Sequence, residues 1–478
     1  SRSWSYWSSI NKTCISQVKL QATPSIINYK KAGESGKQIE YTVSAGFNLL
    51  YDTIEQGDCE YKTLDSDVAT VDEDGVVTAT GVGTTYIRIY NKQNDCYAAV
   101  KVQVNGEQGR TAAKIVGGWN HFAALKANGE VWTWGYNGYG QLGVGNTERK
   151  IKPTKTNIYD SKDTTQTEYA IDVAAGYGHT LVLKSDGTVW ATGLNNYGQL
   201  GIGTTESKTE FVQVEGIPAK VIAITANNCT SYALTESGKV YGWGYNYYGQ
   251  LGINNNANQT SPVKMQKVSN IIQMSTGEEH ISMLDANGSV WSVGSNGNGQ
   301  FGTNSAEGTA LPTQMLDTDG KSVLYGVKEI ASGRDHTVII KEDNTVWSVG
   351  WNGAVGALGQ GITTQYTTVI GEVKEQVEEA DGQKTEKPIT DAKHVIAAGD
   401  TTYITRQKDE NGKAQGMYAT GYNNYGMLFT QDVTARTYAT PAETDKDILT
   451  ATITKNYEYQ TGEEGCLSVP GMSGVVTR

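Results

Sequence analysis

The first hundred residues show a regular alternation of apolar and polar positions. Residues 66–90 read SDVATVDEDGVVTATGVGTTYIRIY, in which glycine-containing turns separate runs of period two. The same alternation returns in YAAVKVQV, residues 97–104. Because side chains on a strand point alternately to opposite faces, such runs predict short strands with one buried face. This part of the chain is therefore expected to form a small antiparallel sandwich.

From residue 115 onward a longer pattern repeats. One copy reads GWNHFAALKANGEVWTWGYNGYGQLGVG from Gly118, and another reads GYGHTLVLKSDGTVWATGLNNYGQLGIG from Gly176. Each copy predicts an apolar strand, a glycine-bearing turn, a second strand and a glycine-rich loop. About four strands per roughly 50 residues is typical of a propeller blade, which buries its faces against its neighbours. One position opens the first strand in successive copies: His121, His179, Thr230, His280, His336 and Thr402.

The alternating segment resembles a known domain family. Residues 66–85, SDVATVDEDGVVTATGVGTT, are similar to the signature of the bacterial Ig-like group 2 domain. The resemblance covers residues 18–105 and implies an Ig-like sandwich that acts as a spacer or adhesive module. Residues 1–17 are then a linker or the end of a preceding segment.

The repeats resemble a second family. GYNGYGQLG (135–143) and GLNNYGQLG (193–201) match the glycine-rich loop of the RCC1 repeat. The family's fold is a seven-bladed β-propeller, and we assign residues 106–478 to it. The predicted fold is thus all-β, with an Ig-like sandwich followed by a seven-bladed β-propeller of RCC1-like repeats.

The end of the chain contains EGCLS, residues 464–468, which resembles the metal-ligand cysteine motif of peptide deformylases. That enzyme would also need an HExxH helix, and none of the five histidines is followed by Glu. The segment GEEGCLSV aligns instead with GEEHISML, with Gly462 matching Gly277 and Gly474 matching Gly288. We interpret it as a degenerate, incomplete seventh repeat and predict no metal site at Cys466.

Composition narrows the functional classes. The chain has 56 Gly, 28 Tyr and 10 Trp but only 5 Phe, and its net charge is −12. An acidic chain is poorly matched to nucleic acid, so no nucleic-acid partner is predicted. No apolar run reaches the roughly 18 residues of a membrane span, so no membrane insertion is predicted. We find no GxSxG, P-loop or HExxH motif, and we predict no enzyme activity, no cofactor and no metal.

The five cysteines show no CxxC spacing, which argues against a structural zinc site. Cys14, Cys59 and Cys96 lie close together in the sequence. Counting by twos leaves two alternatives open for the last two: a Cys59–Cys96 disulfide, or two unpaired, half-buried thiols.

The most informative positions are the two residues between the framework glycine and the histidine position. They change from copy to copy while their neighbours stay the same, and they should all lie at one end of the propeller. Such positions are either unconstrained loop tips or a recognition surface. The seven pairs are Trp119-Asn120, Tyr177-Gly178, Asn228-Cys229, Glu278-Glu279, Arg334-Asp335, Asp400-Thr401 and Glu463-Glu464. The candidate ligand-binding residues are Trp119, Asn120, Tyr177, Asn228, Glu278, Glu279, Arg334, Asp335 and Asp400.

Two further sets of repeated residues are predicted to be part of the structural framework. The histidines lie in different blades, and a ring of them is too wide to share one ion. They are therefore predicted to be framework residues that hydrogen-bond the neighbouring blade. The aromatic position in the second strand is predicted to be core. It is occupied by Trp132, Trp190, Tyr241, Trp291, Trp347 and Tyr418.

We predict a non-enzymatic binding module of a bacterial exported or cell-surface protein, with an extracellular location. The Ig-like domain would be the spacer, and one propeller face would bind a protein or a glycan. One alternative is a structural segment of a large surface protein. The other is guanine-nucleotide exchange of the eukaryotic RCC1 type, against which the acidic charge argues.

Overall fold

The structure is a computed structural model that describes residues 18–45, 55–105, 111–156, 158, 169–413, 415–424, 428–442, 448–453 and 473–477. Contacts divide the chain into two units, Ser1–Ala112 and Ala113–Arg478. Within the described ranges the regular elements are strands, and no helix there is long and apolar enough to cross a membrane.

The described residues of the first unit form nine strands in three small sheets. Their orders are β1-β4, β2-β9-β8-β5 and β3-β7-β6. Alternate residues of the sheets, such as Ile27, Val77 and Val100, are fully buried in one core. The resemblance to the bacterial Ig-like domain stays a prediction. The strands are β1 (Val18–Thr23), β2 (Ile26–Tyr29), β3 (Ser35–Gln38), β4 (Glu40–Ala45), β5 (Cys59–Thr63), β6 (Ala69–Val71), β7 (Val76–Ala79), β8 (Gly83–Asn91) and β9 (Cys96–Val104).

Cys59 and Cys96 are both free thiols. Each lies directly opposite Asn91, Cys59 on one side of β8 and Cys96 on the other. Two strands that flank a third lie about 10 Å apart, whereas a disulfide requires Cα atoms within about 7 Å. The disulfide alternative is therefore wrong. Cys14 lies outside the described residues.

In the part of the second unit that the structure describes there are six four-stranded antiparallel sheets, each formed by four strands in sequence order. We call these sheets blades 1 to 6. The first strands of consecutive blades lie against one another, so the blades stack around a common centre. The strands are β10 (Lys114–Gly117), β11 (His121–Leu125), β12 (Val131–Gly135) and β13 (Lys150–Lys155); β14 (Ala170–Ala175), β15 (His179–Lys184), β16 (Val189–Gly193) and β17 (Lys208–Val214); β18 (Val221–Asn227), β19 (Thr230–Thr235), β20 (Val240–Gly244) and β21 (Gln259–Lys264); β22 (Ile271–Thr276), β23 (His280–Asp285), β24 (Val290–Gly294) and β25 (Thr309–Gln314); β26 (Val327–Ser332), β27 (His336–Lys341), β28 (Val346–Trp351) and β29 (Tyr366–Glu372); and, in blade 6, β32 (Ala392–Ala398), β33 (Thr401–Arg406), β34 (Met417–Gly421) and β35 (Arg436–Pro441).

Four more strands form two two-stranded sheets. The hairpin of β30 (Lys374–Glu378) and β31 (Lys384–Pro388) is inserted between blades 5 and 6. Near the end of the chain β36 (Ile448–Ile453) pairs with β37 (Ser473–Thr477), and β36 lies against both β32 and β10. A seventh sheet therefore lies between blades 6 and 1, and the source of its outer strands stays a prediction.

The alignment predicted for the tail is out of phase with this sheet. Gly288 lies in the turn after β23, but Gly474 lies within β37, opposite Thr452 of β36. The second strand of this sheet is thus formed by residues that the alignment gave to the third. Residues 462–472, including Cys466, Glu463 and Glu464, lie outside the described residues.

Three of the four framework histidines hydrogen-bond a neighbouring blade, as predicted, whereas neither ring nitrogen of His280 has a hydrogen-bond partner. His179 Nε2 lies 2.8 Å from Ser231 Oγ of blade 3, and that hydroxyl donates to the carbonyl of Gln199 in blade 2 at 2.8 Å. Because the hydroxyl hydrogen is used, His179 must donate from Nε2. The same relay runs from His121 to Thr180 and from His336 to Thr402, each at 2.9 Å.

The framework glycine is explained by this histidine. A Cβ on Gly176 would overlap the His179 ring and lie 2.7 Å from the carbonyl oxygen of Asn228 in the next blade. Gly118, Gly277 and Gly333 are crowded by their own histidines in the same way. Glycine at this position therefore allows a buried imidazole and a neighbouring backbone to approach closely.

We expect His179→Ala to lower the free energy of unfolding by about 1–3 kcal/mol, because it leaves the buried Ser231 hydroxyl without its donor. Urea unfolding followed by circular dichroism measures the change. Ser231→Ala and the double variant complete a double-mutant cycle, and strongly non-additive effects are expected for groups in direct contact. Additive effects would show that the relay does not act as a unit.

The repeated aromatic position is less buried than predicted. Trp132, Trp190, Trp291 and Trp347 are half-buried. Lys184 Nζ lies 4.2 Å from the centroid of the Trp190 ring, and the indole N–H donates to Thr188 at 2.9 Å. The lysine covers one face of the indole ring, and the polar edge of the ring donates to a hydroxyl. Both features are typical of an aromatic side chain that is partly exposed to water. Tyr418 is buried, so the core assignment is right for that ring, whereas the four tryptophans and Tyr241 are only half-buried.

A candidate recognition site at the Gly-x-x-His end

The strand pairing brings two sets of loops to one end of each blade. In blade 1, His121 at the start of β11 pairs with Gly135 at the end of β12. In blade 2, His179 pairs with Gly193 in the same way. The variable pair therefore emerges at the same end as the glycine-rich loop that follows the second of these strands. We call this the Gly-x-x-His end.

A pocket of about 50 Å³ opens at this end. Its walls include the first residue of the variable pair from every one of blades 1 to 6. These residues are Trp119, Tyr177, Asn228, Glu278, Arg334 and Gly399. The ends of the innermost strands complete it, among them Thr276, Ser332 and Ala397. We call it the axial pocket, because all six blades contribute to it.

In blade 6 the histidine position lies one residue earlier than the sequence alignment predicted. Thr401 pairs with Gly421 as His121 pairs with Gly135, so Thr401 takes the histidine position in place of Thr402. The loop has the same two-residue length as in blade 3, where Asn227 pairs with Thr230, but Ala398 pairs directly with Thr401 and so occupies the framework-glycine position in place of Gly399. The variable pair of this blade is Gly399-Asp400, and Thr402 instead occupies the hydroxyl position of the histidine relay.

Backbone hydrogen bonds hold the rim of the axial pocket from blade to blade. The N–H of Tyr177 donates to the carbonyl of Asn228 at 2.6 Å, and the N–H of Glu278 donates to that of Arg334 at 2.9 Å. Arg334 in turn donates to Gly399 at 2.7 Å. Because these bonds use only backbone atoms, the side chains can differ between blades while the rim keeps its shape.

Aromatic rings from blades 1 and 2 form one side of the pocket. Trp119 and Tyr177 meet edge to face with ring centroids 4.3 Å apart. Tyr139 extends the group, 6.4 Å from Tyr177, and Tyr136 lies 5.8 Å beyond it. The structure therefore brings together the two aromatic residues named from the sequence. Asn120 does not line the pocket, and its carbonyl accepts the N–H of Tyr136 at 2.8 Å.

Carboxyl groups occupy the second variable position in three consecutive blades, as Glu279, Asp335 and Asp400. We call them the carboxylate row. Glu279 accepts hydrogen bonds from Asn228 Nδ2 at 2.6 Å and Gln250 Nε2 at 3.1 Å. Burial, together with the nearby charge of Glu278, raises the pKa of Glu279 to about 8. Its carboxyl group is therefore largely protonated at neutral pH.

Arg334 joins the other two members of the carboxylate row. Its Nη2 donates to Asp400 Oδ2 at 2.9 Å, and its Nε lies 3.6 Å from Asp335 Oδ2. Burial raises the pKa of Asp335, and it raises the pKa of Asp400 to about 6 even though Arg334 opposes the shift. One guanidinium thus serves two carboxyl groups and does not offset the desolvation of either.

A second aromatic group lies on the glycine-rich loops of blades 2 and 3. It consists of Tyr197, Tyr245, Tyr247 and Tyr248, with Tyr197 and Tyr245 centroids 4.9 Å apart and Tyr247 and Tyr248 centroids 5.1 Å apart. We call it the tyrosine cluster. Sequence reasoning treated these loops as framework and missed it. The available signal was the differing tyrosine content of otherwise similar loops, such as YNYYGQLG.

Among the residues that the structure describes, no group of three or more His, Cys, Asp or Glu side chains is placed to hold a metal ion. The chemistry of this end is aromatic, amide and acidic. Such a set can bind by stacking, hydrogen bonding and charge.

Comparison with protein families agrees with the repeat pattern. A model of the Regulator of chromosome condensation (RCC1) repeat matches residues 128–183, 186–233, 237–284 and 287–340. A second model of the same repeat matches residues 112–141, 170–199, 221–250 and 327–354. The two models together cover half of the chain.

Relatives and solved structures show the same likeness. The human probable E3 ubiquitin-protein ligase HERC3 is 32% identical over 252 residues, which are 50% of this chain and 23% of the ligase. The Arabidopsis thaliana ultraviolet-B receptor UVR8 is 30% identical over 278 residues, 57% of this chain and 60% of the receptor. The chain therefore spans less than two thirds of either relative.

Two solved structures share the fold at low sequence identity. Human WBSCR16 has a TM-score of 0.58 at 17% identity, covering 74% of this chain and 86% of that one. Yeast RCC1 (Prp20), solved with Kap60, has a TM-score of 0.56 at 18% identity, covering 72% and 78%. These likenesses and the six stacked blades agree in fold, and the matches of the two repeat models show that the chain belongs to the RCC1-repeat propeller proteins.

Proposed function

We propose that the second unit is a non-enzymatic protein-binding module that recognises its partner at the Gly-x-x-His end. One observation carries the proposal: the first variable residue of all six blades converges on the axial pocket. Residues that differ within a fixed frame and still share one cavity are suited to a specific ligand. In this proposal the pocket receives a side chain of the partner, and Trp119 and Tyr177 are its main contacts.

A protein partner is favoured over a glycan. The solved relatives in yeast concern protein partners, namely Kap60 in one crystal structure and Gsp1p and histones in a study of Prp20p. Aromatic side chains in a partly buried pocket are also typical anchors of protein interfaces. The ubiquitin-ligase activity in the name of HERC3 is not assigned to this chain, because the match covers only 23% of that protein.

The setting on a bacterial exported or surface protein, with the first unit as an Ig-like spacer, remains a proposal. It rests on the sequence resemblance of residues 66–85. The reported relatives are from human, Arabidopsis and yeast and lend it no support. The structural-segment alternative would leave the axial pocket without a ligand, which the following experiment addresses.

We expect the double variant Trp119→Ala/Tyr177→Ala to weaken binding of a captured protein partner at least about 30-fold, because truncation of central aromatic anchors often costs 2 kcal/mol or more. The partner is first isolated on the immobilised wild-type chain from eukaryotic and bacterial extracts. Its affinity for each purified variant is then measured by isothermal titration calorimetry.

The matched control is Tyr325→Ala. Tyr325 is 51% exposed and lies just before β26, at the opposite end of blade 5. Its removal should leave the affinity unchanged. Equal affinities of the double variant and the wild type, with both correctly folded, would contradict recognition at the axial pocket.

A further inference from the structure

We propose that the tyrosine cluster, together with Glu278 and the adjoining carboxylate row, binds an arginine-containing segment of a protein partner. This inference deepens the proposed function, because it adds a second contact surface at the same end of the propeller. It assigns that surface a partner chemistry of its own, separate from the axial pocket.

The first observation is the exposure of the tyrosines. Tyr247 is 65% exposed, Tyr248 41% and Tyr197 37%. They account for three of the eight large apolar or aromatic side chains that are exposed in the described part of the chain. Contiguous exposed aromatic groups of this kind mark interaction sites more often than scattered single ones.

The second observation is the ring geometry. Tyr245 lies under the group, stacked on Tyr247 with an interplanar angle of 16° and a centroid distance of 6.4 Å. Tyr248 stands nearly perpendicular to Tyr247, at 87°. The rings thus present both a face and an edge to solvent on loops that are packed at their base. A planar guanidinium can stack on such a face.

The third observation is the charge beside the rings. Gln250 connects the two groups: its Oε1 accepts the N–H of Tyr248 at 3.0 Å, while its Nε2 donates to Glu279 at 3.1 Å. The acidic side chains that lie close enough to act on Tyr248 include Glu279, Glu278 and Asp335. Glu279 is largely protonated at neutral pH, and a bound cation would favour its ionised form, so this acidic set favours a cation over an anion or a neutral sugar at this surface.

Arginine fits both halves of this surface better than lysine. Its guanidinium can stack on a tyrosine while it donates two parallel hydrogen bonds to a carboxylate. Burial raises the pKa of Glu279 and of Asp335; the groups that shift the pKa of Glu279 include no cation, and Arg334 does not offset the desolvation of Asp335. An added cation from a partner would supply that compensation.

The test uses the full chain and three labelled synthetic peptides: four Arg-Ser repeats, four Lys-Ser repeats and four Gln-Ser repeats. Fluorescence anisotropy measures their affinities at low and at physiological salt. We expect the arginine peptide to bind more tightly than the lysine peptide, and the glutamine peptide not to bind. Equal affinities for the arginine and glutamine peptides would overturn the proposal.

Single variants locate the surface. Tyr247→Ala should weaken the arginine peptide about 3- to 10-fold, as expected for the loss of one exposed cation–π contact, and Tyr247→Phe should restore most of the affinity. Glu278→Gln should weaken both cationic peptides and reduce the salt dependence. The control Tyr325→Ala should bind as the wild type does. If Tyr247→Ala and Tyr325→Ala behave alike, the tyrosine cluster is not the site.

The peptide experiment and the experiment on the axial pocket test the two proposals independently. A chain that captures a partner through Trp119 and Tyr177 but ignores the arginine peptide would refute the second surface alone. A chain that binds the arginine peptide but shows no effect of the double variant on partner binding would refute the pocket alone.

Discussion

Trp243→Ala should lower the free energy of unfolding of the second unit by about 3–5 kcal/mol, the usual cost of removing a fully buried large aromatic side chain. Trp243 has no exposed surface and packs in a core shared by blades 2 and 3, beside Leu200 and Val214. Its indole N–H donates to the carbonyl of Gln199 at 2.9 Å, so it also bonds across the blade interface. Truncation would leave both a cavity and a weakened contact between blades.

Urea unfolding at several protein concentrations measures the change, and Trp190→Ala is the matched control. Trp190 lies in β16, the strand of blade 2 that is equivalent to the Trp243 strand β20, but it is half-buried under Lys184. Its removal should cost clearly less than that of Trp243. Equal costs for the two variants would show that the burial assigned to these rings is wrong.

These two tryptophans also show where sequence reasoning reached its limit. Alternation in a strand identifies which face a side chain occupies, but it does not tell how far the next blade extends over that face. Tyr241 and Trp243 share a face, yet the first is half-buried and the second is fully buried. The difference arises from the Gln199 loop of the preceding blade, which is distant in sequence.

The framework could be predicted because the same close contact requires the same type of residue in each repeat. The glycine before each histidine repeats wherever the imidazole and the neighbouring carbonyl crowd it, as at Gly176. From this repetition we could predict the blades, the role of the histidines and the end at which the variable residues lie. In blade 6 the framework position is occupied by Ala398, and the glycine one residue later, Gly399, together with the adjacent Thr401 and Thr402, led the sequence alignment to a position one residue too late.

The site was only partly predictable for a related reason. The sequence indicated that the variable pairs share one end, but it could not distinguish the first residue of each pair from the second. The first residues, such as Trp119 and Glu278, line the axial pocket. Of the second residues, Glu279 and Asp335 instead meet glutamines of the preceding glycine-rich loops, Gln250 and Gln300. That division depends on the direction of the side chains in a loop. Loop residues show no periodic pattern from which this direction could be predicted.

Glu279→Gln should remove a decline in stability that the wild type shows as the pH rises from about 5 to 9. Burial raises the pKa of Glu279 from 4.5 to about 8 in the folded state. Between these two values the folded protein holds a proton that the unfolded chain has released, so the free energy of unfolding falls as the pH rises. Above pH 8 the carboxylate is charged in both states, and the full destabilisation, on the order of a few kcal/mol, is present.

Glutamine is a neutral match for the protonated acid and keeps its size, so the variant should equal the wild type near pH 5 and exceed it at pH 9. The groups that face Glu279 include Asn228, Cys229, Tyr232, Tyr245, Tyr248, Gln250, Glu278 and Asp335. Urea unfolding at pH 5, 7 and 9 gives the comparison, with Glu206→Gln at an exposed glutamate as the control. Parallel pH profiles for Glu279→Gln and the wild type would mean that this carboxyl group is ionised at neutral pH and that the buried acid beside the tyrosine cluster is better solvated than the structure indicates.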